Sequence, residues 1–68
     1  MPVHALRSAL RLTQEEFAER LQAAPKTVRN WERGRHPPGL MFQRALDEAL
    51  ATATDDERLR FWAGQRRA

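Results

Sequence analysis

The chain has 68 residues, with twelve Lys+Arg against nine Asp+Glu, a formal charge of +3 and no cysteine. That length fits one domain, whose folding hides only about 60% of the surface of its unfolded chain, so the core is small. Without cysteine there is no disulfide framework, no thiolate nucleophile and no Cys-based zinc site. His4 and His36 are too few and too far apart to suggest a metal centre, and the apolar runs are too short to cross a membrane. Met1-Pro2-Val3-His4 does not read as the start of a secretory signal. A cytoplasmic setting, no cofactor and no small-molecule substrate are the expectations. The basic residues are eleven Arg and one Lys, Lys26, alongside much Ala, which a GC-rich coding bias explains.

Apolar spacing is helical along most of the chain. Val3, Leu6, Ala9 and Leu10 predict a short first helix ending near Arg11. Thr13-Gln14-Glu15-Glu16 reads as a capping box, in which Thr13 and Glu16 satisfy each other's backbone amides. It opens a second helix with Phe17, Ala18 and Leu21 inward, and Leu12 is placed to staple onto Phe17. After the connector Gln22-Ala23-Ala24, Pro25 suits the first position of a third helix, where a missing N–H costs nothing. That helix is expected to run to about Arg33, with Val28 and Trp31 inward. Gly34 stands where a left-handed terminating residue belongs.

Arg35-His36-Pro37-Pro38-Gly39 reads as a loop, because two prolines forbid continued helix. Phe42, Ala45, Leu46, Ala49 and Leu50 predict a fourth helix over about Leu40 to Ala51. Thr54-Asp55-Asp56-Glu57 is a second capping box and opens a fifth helix with Leu59 and Trp62 on one face. Either Trp62 closes the core, or Phe61 and Trp62 form a dimer seam. Residues from Gly64 to Ala68 read as a frayed tail. The fold class is therefore all-α, a compact bundle of four to five short helices in one domain, with a core over about 3–51 and a C-terminal helix and tail over 52–68.

Two short helices joined by about three residues meet at a steep angle. Charge divides between them. Thr13 to Arg20 carries three Glu and one Arg, whereas Pro25 to Arg35 carries Lys26, Arg29, Arg33 and Arg35 against Glu32. With Val28 and Trp31 inward, the outer face of the third helix displays Lys26, Arg29, Asn30 and Arg33. Such side chains suit guanine edges, adenine edges and phosphate. Glu32 would repel DNA and is expected in a structural ion pair or a hydrogen bond to the loop. Arg7, Arg11 and Arg44 are expected in solvent. The carboxylates Asp55, Asp56 and Glu57 are explained by the cap, and no nucleophile–base pair or phosphate-cradling glycine loop suggests an enzyme.

The stretches Leu12-Thr13-Gln14-Glu15-Glu16-Phe17-Ala18 and Thr27-Val28-Arg29-Asn30-Trp31-Glu32-Arg33-Gly34-Arg35, followed by Pro38, closely resemble the Xre/Cro-like, phage-repressor type helix-turn-helix family. The resemblance extends over about Leu6 to Leu50. It implies sequence-specific binding of double-stranded DNA in transcriptional control. By matching position it implies that Pro25, Lys26 and Asn30 face base edges, with Arg29 beside them. It also implies phosphate contacts for Gln14, Thr27, Arg33 and Arg35. A module this small holds DNA weakly, so a homodimer or a larger parent chain is expected. A protein-interaction module on the same fold, antitoxin-like or an adaptor, is the alternative.

The chain departs from the family pattern in the turn. Gln22 stands where relatives usually have Gly. Left-handed backbone there costs about 1 kcal/mol, unless the second helix runs on. Ala24 stands where Ser or Thr often caps the third helix, a loss of about 1 kcal/mol. Ala23 leaves less apolar volume under the turn than the usual Val.

Overall fold

The computed structural model describes residues 2–65. Five helices follow one another: α1 (Val3–Ala9), α2 (Gln14–Leu21), α3 (Pro25–Glu32), α4 (Leu40–Ala51) and α5 (Asp55–Gln65). Among the described residues there is no strand. The fold is all-α, as the apolar spacing predicts.

Local chemistry sets the starts of the helices. At α2, Thr13 Oγ1 accepts from the Glu16 amide at 3.1 Å, and the Glu16 carboxylate accepts from the Thr13 amide at 2.9 Å. At α5, the Glu57 amide donates to Thr54 Oγ1 at 3.2 Å and the Thr54 amide donates to Glu57 at 2.8 Å. That amide bond is the main cause holding the Glu57 carboxyl below its usual range. Both capping boxes are therefore formed. By contrast α3 starts from Ala24, extended at φ −80° and ψ 145°, with no side-chain cap and Pro25 in its first turn.

Three helix ends share one device. After α1 the amide of Arg11 donates to Ser8 O and that of Leu12 to Arg7 O. After α2 the amides of Gln22 and Ala23 donate to Glu19 O and Ala18 O, and after α3 those of Gly34 and Arg35 donate to Trp31 O and Asn30 O. Each pair is a Schellman closure, which needs one left-handed residue. Those residues are Arg11 (φ 57°), Gln22 (φ 58°) and Gly34 (φ 73°). Gln22 thus takes the strained backbone itself, and α2 does not run on. Arg11 is the unforeseen member of the set. It stops α1 at Ala9, two residues short of the expected end.

The core draws on every helix. Leu6, Phe17, Val28 and Leu46 are its largest fully enclosed side chains. Trp31 is 9% exposed and meets the Phe42 ring edge-on, with centroids 5.0 Å apart. Its inward position agrees with its phase relative to Val28. Leu12, Ala23, Phe42, Ala45 and Leu50 pack on the core margin.

The C-terminal part differs from expectation. Phe61, 2% exposed, closes the core, while Leu59 and Trp62 face solvent. Leu59, Phe61 and Trp62 lie around one helix at about 100° per residue; α5 packs against α1, and Phe61 is the one of the three that enters the core. Arg60 Nε reinforces that docking by donating to Ala9 O at 2.9 Å, a carbonyl at the end of α1. Ala53 and Phe61 carry the core beyond residue 51. Gly64 and Gln65 are still helical rather than frayed, and the rest of the expected tail, residues 66–68, lies outside the described residues.

Candidate nucleic-acid interface

The third helix is held by the two before it, since α3 packs against both α2 and α1. The connector from α2 is Gln22-Ala23-Ala24. Because Gln22 turns left-handed, the chain reverses within these residues and delivers Pro25 straight into the next helix.

Burial then sorts the side chains of α3. Val28 and Trp31 are buried; Lys26, Arg33 and Arg35 are exposed; Pro25, Thr27, Arg29 and Asn30 are partly exposed. Among the described residues, no side-chain hydrogen bond or ion pair engages Lys26, Arg29, Asn30, Arg33 or Arg35. The outer face of α3 and the turn after it therefore present cations and one carboxamide with their hydrogen-bonding groups unspent. That is the state a base-reading surface needs before it meets a duplex.

Glu32, the last residue of α3, does the opposite. Its side chain is only 9% exposed. Arg7 Nε donates to Glu32 Oε2 at 2.6 Å and Arg7 Nη2 donates to Oε1 at 3.0 Å, a two-pronged pair. Gln14 Nε2 donates to the same Oε1 at 3.2 Å. His4 Nδ1 lies 3.3 Å from Oε1 and 3.2 Å from Arg7 Nη2, so it either donates to the carboxylate or accepts from the guanidinium. Arg7 Nη1 also donates to Leu12 O at 3.0 Å. Burial alone pushes the Glu32 carboxyl up, but the bonds from Arg7, Gln14 and His4 outweigh it and hold the group below its usual range. Its bond to Glu32 likewise raises Arg7 above its usual value, against burial, so the pair is charged throughout the neutral range.

Expectation and structure part at Arg7. It is not a solvated surface residue; its side chain is 17% exposed and joins α1 to α3. Glu32 is in a structural ion pair, as expected. Gln14 is brought to the same cluster at the start of α2, and its remaining amide hydrogen and its carbonyl take no part in that bond. Thr27, Arg33 and Arg35 stand on α3 or just beyond it, in chain continuity with Lys26, Arg29 and Asn30.

Among the described residues no group of three or more His, Asp or Glu side chains could hold a metal ion. No described helix is long and apolar enough to cross a membrane. An open cleft of about 640 Å³ runs between the start of α1, the end of α3 and the proline loop, with Trp31 and Glu32 in its wall.

Two short helices joined by a tight left-handed turn, the second anchored inward by Val28 and Trp31 and bare on its outer side, define a helix-turn-helix domain. The family model described as a helix-turn-helix domain matches residues 3–61. The chain belongs to this helix-turn-helix family, of the Xre/Cro-like type. Neither a curated protein nor a solved structure matches the chain closely enough to be compared.

Proposed function

We propose that the chain binds double-stranded DNA sequence-specifically and acts in transcriptional regulation, with α3 lying in the major groove. The observation that carries this reading is the division of α3 into a core-locked side and an outer side of uncommitted Lys26, Arg29, Asn30 and Arg33.

The roles follow from donor chemistry. Lys26 and Arg29 donate to guanine N7 and O6, and the Asn30 carboxamide both donates to and accepts from an adenine edge. Pro25, at the groove-entering end, offers apolar contact to a thymine methyl. Thr27 and Gln14 donate to phosphate oxygens, Gln14 with the amide hydrogen that Glu32 leaves free. Arg33 and Arg35 neutralise phosphates beyond the end of the helix, releasing counterions and making affinity fall with salt.

Fixing the angle of α3 is the work of the Glu32 cluster. Its bonds reach Arg7 on α1 and Gln14 on α2, so a tilt of α3 breaks several at once. Salt-titrated binding to DNA selected from random duplexes tests the reading. A preferred sequence whose binding weakens in Lys26→Ala, Arg29→Ala and Asn30→Ala supports it. Equal binding to all sequences, unchanged by those substitutions, overturns it.

A further inference from the structure

Three nitrogens converge on one oxygen of the Glu32 carboxylate. Oε1 accepts from Arg7 Nη2 at 3.0 Å and from Gln14 Nε2 at 3.2 Å, and His4 Nδ1 lies 3.3 Å away. A carboxylate oxygen has lone pairs for about two hydrogen bonds, so a third donor must compete. The other oxygen, Oε2, accepts from Arg7 Nε at 2.6 Å. Neutral His4 avoids the competition. Arg7 Nη2 is always a donor and lies 3.2 Å from Nδ1, which favours the tautomer with a bare Nδ1 that accepts from it. Protonated His4 has no lone pair to offer Arg7 and faces it as a like charge. Its outlet is to donate to Oε1, where the uncharged Gln14 amide is the weakest of the three donors.

We propose that His4 is a proton switch acting on Gln14: on taking up a proton it displaces Gln14 from Glu32 Oε1 and frees the whole Gln14 carboxamide for a DNA phosphate. The phosphate role rests on the DNA-binding function proposed above, whereas the exchange of donors does not.

The surroundings leave His4 able to titrate and Gln14 as the group that gives way. The His4 side chain is 68% exposed, so water delivers the proton. Histidine is the side chain whose charge ordinarily changes between about pH 5 and 8. Glu32 stays ionised over that range, because its carboxyl is held below its usual value. The groups around His4 come from every side: Arg7 on α1, Glu32 on α3, and Gln14 on α2, with Glu15 of α2 near enough to act on Arg7. His36 of the proline loop and Asp47 of α4 line the same cleft as His4, and neither bonds to it. Arg7 cannot be the donor expelled from Oε1, since Nε anchors the same guanidinium to Oε2 and Nη1 donates to Leu12 O at 3.0 Å.

The sign of the coupling follows. Protonated His4 leaves both amide hydrogens of Gln14 free, so the DNA-bound form favours the proton. Affinity is therefore greatest at the acid end of the histidine range and is lost as pH rises through it. By linkage, DNA binding draws a proton onto His4.

NMR titration of the free chain between about pH 5.5 and 8 tests the exchange without DNA. The Gln14 side-chain amide should shift in step with the His4 ring, and His4→Gln should hold that amide still. A Gln14 amide that stays fixed while His4 titrates overturns the proposal, whether or not the chain binds DNA. On a selected duplex, affinity should rise about two- to tenfold from pH 8 to 5.5, the scale of one exchanged neutral hydrogen bond. His4→Gln and Gln14→Ala should each flatten that rise, and His36→Gln should keep it. A rise that persists in His4→Gln, or vanishes in His36→Gln, overturns the proposal. Coupled titration of His4 and Gln14 in a chain that binds no duplex would support the exchange and overturn the DNA-binding function instead.

Discussion

Arg7 and Glu32, 25 positions apart in sequence, are joined by paired bonds of 2.6 and 3.0 Å that tie the first helix to the end of the third. Removing either partner leaves a largely buried charge unmatched. Glu32→Gln or Arg7→Met should each destabilise the fold by about 2–3 kcal/mol, somewhat less than for a fully enclosed pair. In a domain of this size that lowers Tm by roughly 10–20 °C, measurable by thermal denaturation.

The same pair makes stability depend on acid. The Glu32 carboxyl titrates below its ordinary 4.5 in the folded chain. As pH falls, the unfolded chain therefore takes up this proton first. The contribution of Glu32 is fully present above its unfolded value and is lost as pH drops through its folded value. Urea titrations at descending pH should show stability falling below about pH 4.5, and Glu32→Gln should flatten that acid limb. An equally steep limb in the variant would assign the loss to other carboxylates.

Gln22 holds left-handed backbone that glycine adopts without strain. Gln22→Gly should therefore stabilise the chain by about 0.5–1 kcal/mol, net of the extra freedom glycine brings to the unfolded state. Ala24 sits in extended geometry suited to a capping side chain and provides none. Ala24→Ser should add about 0.5–1 kcal/mol by satisfying an α3 amide. Denaturant midpoints of the two variants and their combination check both values.

Substitutions on the outer face of α3 should divide into two classes. Lys26→Ala and Asn30→Ala should each cost about 1–3 kcal/mol on the preferred sequence and relax preference at one base pair. Arg33→Ala or Arg35→Ala should weaken binding evenly across sequences and reduce the salt slope by about one. Binding isotherms at several salt concentrations on matched and mismatched duplexes distinguish the classes.

What could be read from the sequence is what is local. Both capping boxes span three residues, and Thr13 with Glu16 and Thr54 with Glu57 close as their spacing predicts. Pro25 and Gly34 mark the start and end of α3 because their backbone preferences act without distant partners. The inward phase of Val28 and Trp31 exposes Lys26 and Arg33. Arg7 is not legible locally, because charge and periodicity put it on the outward side of α1 and only folding brings Glu32 to it. Phe61 is not distinguishable from its neighbours Leu59 and Trp62 by local pattern, because only tertiary packing decides which of them enters the core. Arg11 carries no local signal, since its left-handed turn is imposed by the closure of α1 around it.

The proposed function rests on the outer face of α3 reading DNA sequence. Selection of bound duplexes from a random pool, run in parallel with the chain and with its Asn30→Ala variant, tests it most directly. An enriched sequence is expected for the chain, and loss of preference at one position for the variant. A pool that stays random, or an identical enriched sequence from both proteins, would contradict it.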